Sequence, residues 1–71
     1  MNRFWRIDSD RLRRIRKERL LTQVELSKMS GVAQDSISSL ETGKRETHPR
    51  TIKKLAEALG VEPRKLLKEQ E

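Results

Sequence analysis

Apolar residues in this chain recur three and four positions apart, in short segments separated by turn signals. That is the period of helices with one buried face. Strict alternation is absent, and Phe4 and Trp5 are the only aromatic residues, so a β fold is not expected. The first helix is predicted from Ser9 to about Leu20. Asp8 is a good N-cap, and Ile7 before it can staple onto Leu12. Leu12, Ile15, Arg16 and Arg19 then share one face. Thr22-Gln23-Val24-Glu25 has the form of a capping box, with Leu21 and Leu26 as its staple. The second helix therefore starts there and ends near Ser30, where Gly31 supplies a left-handed residue.

A third helix fits Gln34 to Thr42, with Val32 and Ile37 stapled around Ala33 and Gly43 closing it. Alanine is a poor cap, so this start is less well specified, by about 1 kcal/mol. Lys44 to His48 reads as a polar loop. Pro49 opens a fourth helix that ends before Gly60, with Ile52, Leu55, Ala56 and Leu59 as its buried stripe. Val61-Glu62-Pro63 opens a short fifth helix with Leu66 and Leu67 inward. The expectation is an all-α, compact five-helix domain over residues 9–68, with 1–8 as an amino-terminal extension and 69–71 frayed. Phe4 and Trp5 are expected to fold back onto the core rather than to stack on nucleobases.

Seventy-one residues make one small domain with a modest core. There is no cysteine, so no disulfide or thiolate metal site contributes. No apolar run is long enough for a signal core or a membrane span. The default is a cytoplasmic protein that makes no use of a membrane. The net charge of +6 is unevenly placed: +5 in residues 1–19, −2 in 20–43, +4 in 44–54 and −1 in 55–71. Two basic segments flanking a weakly acidic middle suit a polyanion, nucleic acid before membrane, although solvated helix faces give the same count.

Gln23 to Thr42 is the most informative stretch. Two short helices joined through Gly31-Val32-Ala33 match a helix-turn-helix unit, whose second helix enters the major groove of DNA. At 100° per residue, Ile37, Leu40 and Glu41 fall on one side of the third helix. Asp35, Ser38, Ser39 and Thr42 fall opposite, with Gln34 at the leading edge. Gln34 can read adenine bidentately and Asp35 can accept from the amino group of cytosine; alternatively, these are ordinary solvated residues. Arg16 and Glu41 both sit on inward faces. An inward charge is costly unless paired, so either the two pair with each other or each snorkels to water.

Leu12-Arg13-Arg14-Ile15-Arg16, Leu21-Thr22-Gln23, Leu26, Gly31-Val32-Ala33, Ile37-Ser38, Leu40-Glu41-Thr42-Gly43-Lys44-Arg45 and Leu55-Ala56-Glu57-Ala58-Leu59-Gly60-Val61 together resemble the phage-repressor-like family, also called xenobiotic-response-element regulators. The resemblance covers residues 9–68. It implies a five-helix, lambda-repressor-like fold and a transcriptional repressor or regulator that binds operator DNA as a dimer. By position, Gln23 matches a glutamine that caps the second helix and touches phosphate. Gln34, Asp35 and Ser39 match positions facing base edges, flanked by Ser36 and Ser38. Arg16 and Glu41 match an internal ion pair. Lys44 and Arg45 match loop residues on the DNA backbone, and Arg50 matches an arginine that approaches the minor groove in some relatives. Ala33, Asp35 and the acid of Glu46-Thr47-His48 depart from the family pattern and bear on target sequence and affinity.

Catalysis finds little in the sequence. His48 is the only histidine, a loop residue beside proline. No metal set forms, Gly43-Lys44 lacks the glycine-rich loop of a nucleotide site, and scattered serines make no triad. No cofactor and no small-molecule ligand are expected. The rival reading is a protein-interaction module on the same fold, antitoxin-like or coactivator-like. With no dimerisation segment expected after the fifth helix, a self-made interface is expected to be weak: a monomer or a weak homodimer in solution, pairing cooperatively on a palindromic operator.

Overall fold

The structure is a computed structural model and describes residues 4–68. In chain order it comprises β1 (Trp5–Arg6), α1 (Ser9–Glu18), α2 (Gln23–Ser30), α3 (Gln34–Thr42), β2 (Glu46–Thr47) and α4 (Pro49–Leu59), followed by a 3-10 turn, Pro63–Leu66. The all-α, five-helix expectation is thus corrected to four α-helices with a small two-stranded sheet. The fraying foreseen for 69–71 lies outside the described residues.

The helix starts follow from local chemistry. Asp8 accepts from the Arg11 N–H at 3.0 Å. Thr22 Oγ1 accepts from the Glu25 N–H at 3.0 Å, and Glu25 Oε1 accepts from the Thr22 N–H at 2.9 Å, closing the capping box. These bonds hold the Glu25 carboxyl below the usual carboxylate range. Ala33 offers α3 no side-chain cap. His48 Nδ1 accepts from the Arg50 N–H at 3.1 Å, so the lone histidine caps α4.

The helix ends are less uniform. Gly31, at φ 77°, turns the chain between α2 and α3. The first helix stops at Glu18, short of the predicted Leu20, and Leu20 itself is left-handed at φ 59°. Its N–H donates to the Lys17 carbonyl at 2.9 Å and the Leu21 N–H to the Arg16 carbonyl at 3.2 Å, the pair of bonds of a Schellman ending. A left-handed leucine costs about 1–2 kcal/mol, and Leu20 is 88% exposed, so its own burial offsets none of that.

The core gathers Ile7, Leu12, Leu26, Val32, Ile37, Leu40, Ile52, Leu55, Ala56, Leu59 and Leu66. Trp5 and Leu67 pack against it partly buried, whereas Phe4 stays half exposed. β1 and β2 pair antiparallel, Trp5 with Thr47 and Arg6 with Glu46, so the segment read as a polar loop carries a strand. Ile7 bridges to Leu67, and the Lys68 N–H donates to the Arg6 carbonyl at 3.0 Å. This pairing explains why no fifth α-helix forms: Leu67 must adopt an extended conformation (φ −89°, ψ 143°) to meet Ile7, which ends the 3-10 turn after one turn. No helix of the described residues is long and apolar enough to cross a membrane.

Candidate nucleic-acid interface

α3 has two unlike sides. Ile37, Leu40 and Glu41 are buried at its inner side, while Gln34, Asp35, Ser36, Ser39 and Thr42 are exposed and Ser38 is half-buried. The outer side carries no large apolar group. It is therefore free to approach a polar surface without losing core contacts.

Beneath α3 lies an ionic network centred on a buried pair. Arg16 Nε donates to Glu41 Oε2 at 2.7 Å and Arg16 Nη2 to Glu41 Oε1 at 2.9 Å, a bidentate pair. The two side chains are 10% and 2% exposed. Arg16 Nη1 donates to the Leu21 carbonyl at 2.7 Å, Gln23 Nε2 to Glu41 Oε1 at 3.1 Å, and Arg13 Nη1 to the Glu41 carbonyl at 3.3 Å. One carboxylate thus ties α1, the start of α2 and α3 together. Burial pushes the Glu41 carboxyl up, but the hydrogen bonds from Arg16 and Gln23 and the charges of Arg16 and Arg13 outweigh it, and the net shift is down. The hydrogen bond to Glu41, opposed by burial, raises Arg16. Among the described residues no buried side-chain polar atom lacks a partner, the condition under which a buried ion pair is tolerable.

This geometry redefines Gln23. Thr22 is the N-cap of α2, so the capping role that the resemblance implies for Gln23 falls to its neighbour. Gln23 is half-buried and its amide N–H is engaged by Glu41. That coupling carries no periodic signal, because it joins α2 directly to the α3 carboxylate that also pairs with α1. Arg19, which periodicity places on the inward face of α1, is exposed, yet its Nε donates to the Leu59 carbonyl at 3.0 Å, at the end of α4.

Lys44 and Arg45 follow α3 directly and are exposed, as is Arg50 in the first turn of α4. None of the three is in an ion pair among the described residues. The Arg45 backbone is fixed, its carbonyl accepting from the Ile7 N–H at 2.8 Å. The site therefore combines a fixed polar helix face with a following basic segment. No cluster of histidine, cysteine and acidic residues suited to a metal occurs among the described residues.

The helix-turn-helix family profile matches residues 12–66. The HTH-type transcriptional repressor RghR of Bacillus subtilis (strain 168) is 51% identical over 53 residues, 73% of this chain and 39% of that protein. The chain spans 37% to 62% of the length of the curated relatives it matches. Among solved structures, the restriction-modification controller protein C.AhdI from Aeromonas hydrophila superposes with a TM-score of 0.78 at 37% identity, covering 83% of this chain and 89% of that one. The master regulator for biofilm formation SinR, in complex with DNA, superposes with a TM-score of 0.75 at 27% identity, covering 78% and 89%.

Proposed function

The chain belongs to the helix-turn-helix family, and from that premise we propose that it binds double-stranded DNA sequence-specifically as a transcriptional repressor or regulator. The observation that carries this reading is the outer side of α3: polar, exposed, and held from beneath by the Arg16–Glu41–Gln23 network. α3 enters the major groove. Gln34 pairs with adenine, Asp35 accepts from cytosine and Ser39 contacts a base edge, while Ser36 and Ser38 flank the contact. Gln23, whose amide nitrogen gives one N–H to Glu41 and keeps a second to donate, Lys44 and Arg45 meet phosphates, and Arg50 approaches the minor groove. The DNA complex of SinR, whose fold is similar, supports DNA as the partner.

A single recognition helix reaches only a few base pairs, too few to define an operator in a genome. The proposal therefore includes a homodimer on a palindromic operator, with half-sites about 10 base pairs apart. The protein acts in the compartment that holds the DNA, without catalysis. Selection from a random duplex pool tests the reading. A selected duplex bound at least about 1,000-fold more tightly than random DNA supports it; a pool without enrichment refutes it. One observation favours the protein-partner reading instead: Val24 and Met29 of α2 are exposed apolar groups. Capture of a protein with no duplex affinity would replace the DNA reading by that one.

A further inference from the structure

Trp5, Arg6 and Ile7 lie between two other pieces of chain. On one side Trp5 pairs with Thr47 and Arg6 with Glu46, and the Ile7 N–H donates to the Arg45 carbonyl at 2.8 Å. On the other side the Asp8 N–H donates to the Leu66 carbonyl at 2.8 Å and the Lys68 N–H to the Arg6 carbonyl at 3.0 Å. The strand that carries Arg6 is thus held from both edges, the Arg6 carbonyl on the Lys68 side and its neighbour Ile7 on the β2 side, while the Arg6 side chain is exposed. Arg6, Lys44, Arg45 and Glu46 line one shallow cleft, three cations to one acid. A second cleft brings Arg6 and Arg45 together with Arg13 and Lys68, but Asp8, Asp10 and Glu41 line it too and Asp10 pairs with Arg13, so the excess of positive charge is clearest in the first.

The geometry points to Arg6 as a third phosphate-contacting cation of the DNA-binding surface, delivered by the amino-terminal strand to the side of Lys44 and Arg45. This rests on the DNA-binding reading above. Two physical arguments favour it. Cations sharing a cleft repel one another in the free protein, and a phosphate entering the cleft turns that repulsion into attraction. A backbone already fixed by ladder bonds also loses less conformational entropy on contact than a free arm does.

The test is a salt titration of the full chain on a duplex, with R6Q, R6K, K44A, R45A and R64Q compared with the parent. Arg64 is paired with Glu62 at the 3-10 turn and lines neither of the two clefts, so R64Q removes the same charge elsewhere. Losing one phosphate contact lowers the logarithmic salt slope by about 0.9. The advantage of the parent over R6Q should then narrow about eightfold for each tenfold rise in salt. R6K should keep the parent slope, and R64Q should leave it unchanged. Circular dichroism of each variant checks that it is folded; should R6Q unfold, R6M, which removes the charge and keeps an unbranched side chain, takes its place against R64Q. R6Q behaving as R64Q, with K44A and R45A shallower, overturns the role of Arg6 and leaves the DNA reading intact. A parent slope near zero, or no duplex binding, overturns both.

Discussion

The two sides of α3 differ in almost every property although they belong to the same nine residues. On the inner side Ile37, Leu40 and Glu41 are between 0% and 3% exposed, and the one charge there is met by three donors from Arg16 and Gln23. On the outer side the residues are small or polar and solvated. The inner side therefore answers to packing and desolvation, where any loss of fit is felt by the fold. The outer side answers only to what comes to lie against it. The difference separates stability from recognition along a single helix, and substitutions can probe the two independently.

The most severe test removes one partner of the buried pair. Glu41→Ala leaves Arg16 with the Leu21 carbonyl as its remaining acceptor and should cost about 3–5 kcal/mol in denaturant unfolding. A double-mutant cycle with Arg16→Ala should show strong coupling between them. Independent effects would mean that the inner side is held by its apolar residues alone. The same pair sets an acid limit. The folded Glu41 carboxyl lies below its unfolded value, so its contribution is complete above the ordinary carboxylate range. That contribution is lost as pH falls through the lowered folded value. Glu41→Gln should flatten the acid limb of stability against pH, and an unchanged limb would move acid sensitivity elsewhere.

On the outer side, Gln34→Ala should leave the melting temperature unchanged. It should weaken the selected duplex by about 1–3 kcal/mol and random DNA by less. Loss of stability instead would break the separation between the two sides. The start of α3 lies between the two regimes. Ala33→Ser gives the helix a side-chain cap and should add about 1 kcal/mol of stability, with the preferred duplex unchanged; a shift in preferred sequence would place position 33 at the interface. The smallest effect is expected from Lys44→Ala or Arg45→Ala. Either should weaken all duplexes alike and lower the salt slope by about 0.9.

Sequence by itself determined where α2, α3 and α4 begin and which sides face inward. Capping and staple pairs act within about five residues, and a period near 3.6 survives any tertiary arrangement. It also determined that Arg16 and Glu41 point inward, leaving pairing or escape to water as the alternatives. Only the tertiary structure decided between those, because the choice depends on how α1 lies across α3 and on Gln23 reaching the same carboxylate. The tertiary structure also decided what the chain ends do. β1 and β2 are two residues each, too short for alternation to show, and their partners are remote in sequence. The same ladder draws Leu67 out to Ile7 and stops the turn that helical periodicity would have continued. Leu20 follows the same logic: no residue preference announces a left-handed leucine, and its conformation is imposed by the need to bring Leu21 against the core while its carbonyl meets Arg16. Local rules set each helix; bonds between distant segments set the basic surface beside it.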